Sequence, residues 1–239
     1  MEITEKKNRF DKSSFYFVGL LILAILGFWK SYFSKFFNHT NDYSFYFHFH
    51  ATSMLTWVLL LIIQPWLIRK KKFKTHQLIG KTSYFLMPLL LLSVVLVLHS
   101  GIKNVPEQEL QFAFILFPVR DFLFLFFAFS IGVWYRRNLQ IHARAMILTG
   151  IVFIEPALFR LLGAILPQTS SPFGFFLGIA IILGLVITLI VIERKQKSGR
   201  WLFPAFLVID IIVYCLVIFQ VPSSFLDPIV RAFARLNLT

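Results

Sequence analysis

Residues 110–134 read LQFAFILFPVRDFLFLFFAFSIGVW, an apolar run with one adjacent pair of opposite charges, Arg120 and Asp121, near its middle. About 20 mostly apolar residues are enough for a helix to cross the hydrocarbon of a bilayer. The run is therefore read as a transmembrane helix. Each of its charges would cost roughly 2.5–3.5 kcal/mol at the centre of a lipid-facing helix, so both are expected to face protein or water.

Six further runs of the same kind flank it: Phe15–Phe33, Phe49–Ile68, Thr82–Ile102, Ala143–Leu166, Pro172–Ile192 and Trp201–Val221. The chain of 239 residues is 58% hydrophobic and only 15% charged, which leaves too little polar sequence to cover the core of a soluble domain. The expected fold class is all-α: a polytopic membrane protein with about seven transmembrane helices in a single domain, residues 1–239. The first run is followed by Lys30-Ser31-Tyr32-Phe33 rather than a small-x-small cleavage site, so it is read as a retained helix and not a secretion signal.

Lys and Arg gather in alternate connections. They are Arg69, Lys70, Lys71, Lys72 and Lys74 after the second run, Arg136, Arg137 and Arg144 around the start of the fifth, and Arg194, Lys195, Lys197 and Arg200 after the sixth. The positive-inside rule puts these in the cytoplasm, with the N-terminus inside, residues 1–14 a cytoplasmic tail, and the C-terminus outside. Residues 222–239 form an external segment in which Ser224–Leu236, with its apolar positions and paired arginines, reads as an interfacial helix. The net charge of +13 is thereby explained as attraction to anionic headgroups at the cytoplasmic face of a bacterial inner membrane. No recognition motif accompanies the charge, so nucleic acid is not an expected partner. The single Cys215 excludes an internal disulfide.

Glu155, Arg160 and Asp210 are also embedded in apolar runs. At a rise of 1.5 Å per residue, Arg120, Asp121, Glu155 and Asp210 fall near mid-membrane, and Arg160 a turn or more closer to the outside. Mutual neutralisation, with Arg120 or Arg160 pairing the acids, is the plainest role for this polar core. Pro156 cannot donate to the preceding turn and marks a kink.

Histidines offer a second chemistry, because imidazole binds metal or haem iron and carries protons. His48 and His50 open the second run and His99 nears the outer end of the third, at similar depth; His76 and His142 precede the third and fifth runs on the cytoplasmic side. Positions 48 and 50 point about 200° apart on a helix, and His50 shares a seven-residue stripe with Trp57 and Gln64, so His50 is taken as the inward one. Asp121 shares its face with the small residues Ala128 and Gly132, which favours close helix approach. The chain has no Cys-x-x-Cys-His and no His-Glu-x-x-His. His50 with His99 is nevertheless the pair expected to hold a transition metal or haem, with Asp121 and Glu155 behind it. The leading expectation is a membrane protein that binds such a cofactor or serves a membrane redox system. The alternatives are a proton-coupled small-molecule carrier, in which Asp121, Glu155 and His50 relay protons, and a structural subunit of a membrane complex. No catalytic constellation is discernible: Ser53 lies near His50 without a Gly-x-Ser-x-Gly elbow.

Two stretches carry a resemblance. His48-Phe49-His50-Ala51 with Trp57 and Gln64, then His76-Gln77-Leu78-Ile79-Gly80, is similar to a His-x-His-Ala, Trp, Gln, His-Arg-x-x-Gly pattern. Asp121, Arg136-Arg137, His142-Ala143-Arg144-Ala145-Met146, Pro156-Ala157 and Arg160 are similar to an Asp, paired Arg, His-Lys-Arg-Leu-Met, Pro-Ala-x-x-Arg pattern. Together they resemble a family of bacterial polytopic membrane proteins of unknown function, over roughly residues 48–160. The chain departs from that pattern at Gln77 and Ala143, where a basic residue is the rule. The resemblance draws attention to His76 and His142 as a second, cytoplasmic pair, suited to a headgroup, a quinone or a haem edge.

Overall fold

The computed structural model describes residues 13–40, 42–167, 171–221 and 224–239, and no strand occurs among them. The expected tail up to residue 12, residues 168–170 between the fifth and sixth expected runs, and residues 222–223 lie outside the described residues.

Eleven α-helices are described: α1 Ser13–Gly27, α2 Ser34–Phe37, α3 Phe45–Arg69, α4 Phe73–Lys81, α5 Ser83–Ile102, α6 Leu116–Trp134, α7 Leu139–Ile151, α8 Ile154–Ile165, α9 Ser171–Glu193, α10 Leu202–Ile218 and α11 Asp227–Ala234. Five stretches are long and apolar enough to cross a membrane: Phe45–Arg69, Phe73–Ile102, Leu116–Trp134, Leu139–Ile165 and Pro172–Glu193. The first expected run is broken: α1 and the segment Trp29–Phe37 are bent by 51°, and as one broken span they raise the number to six. The last expected run forms α10, whose 17 residues make an apolar helix shorter than those five.

Two of the long stretches are themselves interrupted. One divides at Thr82 between α4 and α5, and the other at Val152–Phe153 between α7 and α8. The second break is where Pro156 predicts it, since a proline cannot donate to the carbonyl four residues earlier, which is that of Val152. α7 starts at a definite place because the Asn138 side chain accepts from the backbone N–H groups of Gln140 and Ile141.

Packing follows the small residues. A Cβ on Gly27 would collide with the backbone carbonyl of Ala157, so α1 and α8 cross in backbone contact. Gly132 receives the Met146 side chain between α6 and α7, Gly150 receives Phe17, and Gly178 receives the ring of Phe159. Gly163, by contrast, has nothing against it. The buried core runs through Trp57, Met87, Leu90, Leu125, Ala145, Val186 and Phe203, while Phe126, Phe127, Ile187, Val208 and Ile209 point outward as an apolar belt. α11 does not simply lie on a surface. Its Val230 is fully buried against Ile102, Leu110 and Ile115, while Phe225, just before α11, and Ile229 within it remain exposed.

Candidate functional site

Two polar places stand out. The first is the cluster around Arg120, which is buried in α6. Its Nη2 lies 2.7 Å from Asp121 Oδ1 and 2.8 Å from Glu155 Oε1, and its Nη1 is 3.3 Å from Asp210 Oδ1. Neither of the last two atoms has an aligned hydrogen bond, so that contact is one of charge alone. The hydroxyl of Tyr214, four residues and one turn beyond Asp210 on α10, donates to Glu155 Oε2 at 2.5 Å. The guanidinium carbon lies 5.0 Å from the centre of the Phe117 ring and 5.7 Å from that of Tyr214. Helices α6, α8 and α10 thus place three carboxylates and a phenol around one cation. Tyr214 was not singled out by sequence, although its spacing of four from Asp210 put it on the same face.

Arg160 is a correction. Expected in the polar core, it is exposed, donates to the Pro156 carbonyl at 2.9 Å and lies 4.5 Å from the ring centre of Phe28. The cause is angular: five residues past Glu155 is about 140° around the helix, away from the cluster. Arg144 is a second correction. Counted among cytoplasmic loop charges, it is fully buried in α7, where its Nε pairs with Glu193 at the end of α9 and its Nη1 donates to the carbonyls of Gln140 (3.0 Å) and Ser198 (2.6 Å).

The histidines divide differently from expectation. The stripe of α3 does face protein: His50 Nδ1 is 3.1 Å from Ser93 Oγ, Trp57 Nε1 donates to Thr149 Oγ1 at 3.2 Å, and Gln64 meets His76 and Gly80. His48 points elsewhere, with Nδ1 2.8 Å from the Tyr32 hydroxyl. His99 is fully buried, with Nδ1 2.7 Å from Thr239 Oγ1 and its ring edge-on to Phe233. The expected metal pair, His50 with His99, is not brought together. His50 faces Ser93, and His99 lies six residues, about 9 Å, further along α5. Among the described residues no group of three or more His, Cys, Asp or Glu side chains is arranged to hold a metal ion.

The second place is a cavity of about 800 Å³ at the basic end of the helices, between α1, α3, α4, α5, α6 and α7. His76 and His142 both line it, with Gln64 and Tyr84 beside them, Trp57 and Phe129 as aromatic wall, and Lys81, Arg136 and Arg137 among its cationic residues. The Gln64 amide fits its surroundings with nitrogen toward His76, where it donates to Nδ1 and, at 3.2 Å, to the backbone oxygen, while its oxygen accepts from Gly80 N–H at 3.0 Å. His142 Nδ1 lies 2.8 Å from the Gly132 carbonyl. On each ring the Nδ1 is held by protein, which leaves Nε2 for an occupant.

Comparison of the chain with protein-family models, with curated proteins and with solved structures found no match.

Proposed function

We propose that the chain is a multi-pass protein of the bacterial inner membrane that binds a small amphipathic molecule, of the kind handled by membrane redox systems, in the cavity at its basic end. The observation that carries this reading is the composition of that cavity: two imidazoles and three cations over a wall of Trp57, Phe129, Leu60 and Leu61. A volume of about 800 Å³ is in the range of small-molecule sites, which are mostly apolar with a few placed polar groups. In this reading α1 with its bent continuation and α10 both cross the bilayer, giving seven spans with the N-terminus inside. The basic end then lies in the cytoplasmic leaflet, where anionic headgroups meet Arg136, Arg137 and Lys81.

The test is mass spectrometry of the organic extract of purified, detergent-solubilised protein, beside the variant Ala143→Trp, which fills the cavity. One amphiphile per chain in the parent and its loss in the variant are expected. Equal lipid content in both would remove the reading.

A proton-coupled carrier is the second reading, favoured by the surplus of acid around Arg120. One guanidinium against three carboxylates leaves two negative charges in a low-dielectric interior if all ionise, so the cluster has reason to hold protons. Substrate-driven pH changes in vesicles, abolished by Asp210→Asn, would support it.

A further inference from the structure

The hydrogen-bonding states of the two cavity imidazoles are fixed by their protein partners, and they are opposite. A carbonyl oxygen only accepts, so the contact of His142 Nδ1 with Gly132 O at 2.8 Å places the ring proton on Nδ1. In the neutral ring Nε2 then carries a lone pair. His76 is set the other way. The Gln64 amide nitrogen donates to His76 Nδ1, so that nitrogen accepts and the proton sits on Nε2. The amide cannot turn over without facing its oxygen to the His76 carbonyl and its nitrogen to the Gly80 N–H. One imidazole therefore offers an occupant a donor, and the other an acceptor.

This asymmetry sorts the candidates. Iron held between two imidazoles needs a lone pair on both, and His76 would have to give up the Gln64 bond to supply one. A phosphate head would be met by Lys81, Arg136 and Arg137, but it asks for donors throughout and has no hydrogen for the lone pair of His142. A fully oxidised quinone has two carbonyl acceptors, of which His76 satisfies one and His142 none. A hydroquinone matches both: one hydroxyl donates to His142 Nε2, and the oxygen of the other accepts from His76 Nε2–H. The aromatic wall of Trp57, Phe129 and Tyr84 suits such a ring, and Phe17, Leu60, Leu61 and Ile147 suit an apolar tail.

Resting on the cavity-binding reading above, we propose that the occupant is a quinol, bound in preference to its quinone, with His76 as donor and His142 as acceptor. The inference concerns binding and assigns no electron transfer to this chain.

The experiment uses the full chain in nanodiscs, with quenching of tryptophan fluorescence by decylubiquinol kept reduced and by decylubiquinone. The parent protein is expected to bind the quinol about tenfold more tightly, the effect of one unpaired buried hydrogen-bonding group. His142→Gln, whose amide can turn either a donor or an acceptor to the occupant, is expected to reduce that ratio toward one while both forms still bind. The ratio in the parent decides the matter even if a variant fails to fold. Quinone binding equal to or tighter than quinol would overturn the proposal. So would binding of neither, and a fluorescent phosphatidylglycerol then separates the cases: if it binds and is lost in Ala143→Trp, the cavity takes an amphiphile that is not a quinol; if it does not, both readings fall.

Discussion

Tyr214 and Glu155, 59 positions apart in the chain, meet through a single hydroxyl to carboxylate contact of 2.5 Å, with Arg120 holding the other carboxylate oxygen. Glu155 is thus satisfied on both sides by groups from α10 and α6. Tyr214→Phe removes only the hydroxyl and leaves Oε2 without that donor, and is expected to destabilise the protein by about 1–3 kcal/mol. Thermal unfolding in detergent reads this directly; an unchanged midpoint would mean that the hydroxyl contributes nothing.

Arg120 is the common partner of all three acids. Arg120→Met leaves buried carboxylates without their cation, a change expected to cost about 3–5 kcal/mol. Adding Asp210→Asn and Glu155→Gln to that variant removes the repulsion and should recover part of the loss. A triple variant no more stable than the single one would count against an electrostatic origin.

α1 and α8 touch backbone to backbone at Gly27 and Ala157. Gly27→Val cannot be absorbed by a side-chain movement, so it should separate the two helices. Cysteine cross-linking between Leu23 and Leu158 is expected to fall in the variant while cross-links between α6 and α7 persist.

α11 is tied to the segment after α5 by Arg235, whose Nε and Nη2 donate to the two Glu107 oxygens at 2.8 and 2.7 Å. The hydrogen bonds from Arg235 hold the Glu107 carboxyl below its ordinary range, and the same contact raises Arg235. A depressed carboxyl contributes above its unfolded pKa and loses that contribution as pH falls through the folded value. The protection factors of residues 227–236, taken relative to the intrinsic exchange rate at each pH, are therefore expected to fall as pH drops through the folded value. Glu107→Gln should show the lower protection throughout and little dependence of it on pH.

Much of this arrangement was legible because the bilayer constrains it. Apolar runs were expected to be helices with their charges turned inward, which located Arg120, Asp121, Glu155 and Asp210 but not Arg160. Pro156 announced its own break through the bond that it cannot make. What sequence did not reveal was angular or distant. Arg160 lies beyond Glu155 by a rotation that only a settled helix start makes definite. Arg144 was counted with a basic loop because its acid, Glu193, is 49 positions away and sits at a helix end. His50 and His99 share a depth but not a facing, and depth alone made them look like a pair. The cavity that joins His76 to His142 depends on four or more helices at once, which no local periodicity encodes.

The three carboxylates of the cluster arrive at the ribosome in an order that matters. Arg120 and Asp121 emerge first and as neighbours, hydrogen-bonded to one another at 2.7 and 3.1 Å, so the cation carries its first counter-ion from the outset. Glu155 follows with α8, and Asp210 and Tyr214 come last with α10. Until α10 packs against α6 and α8, the guanidinium lacks one anion and Glu155 lacks its phenol, so the cluster is complete only when residues 202–218 are in place.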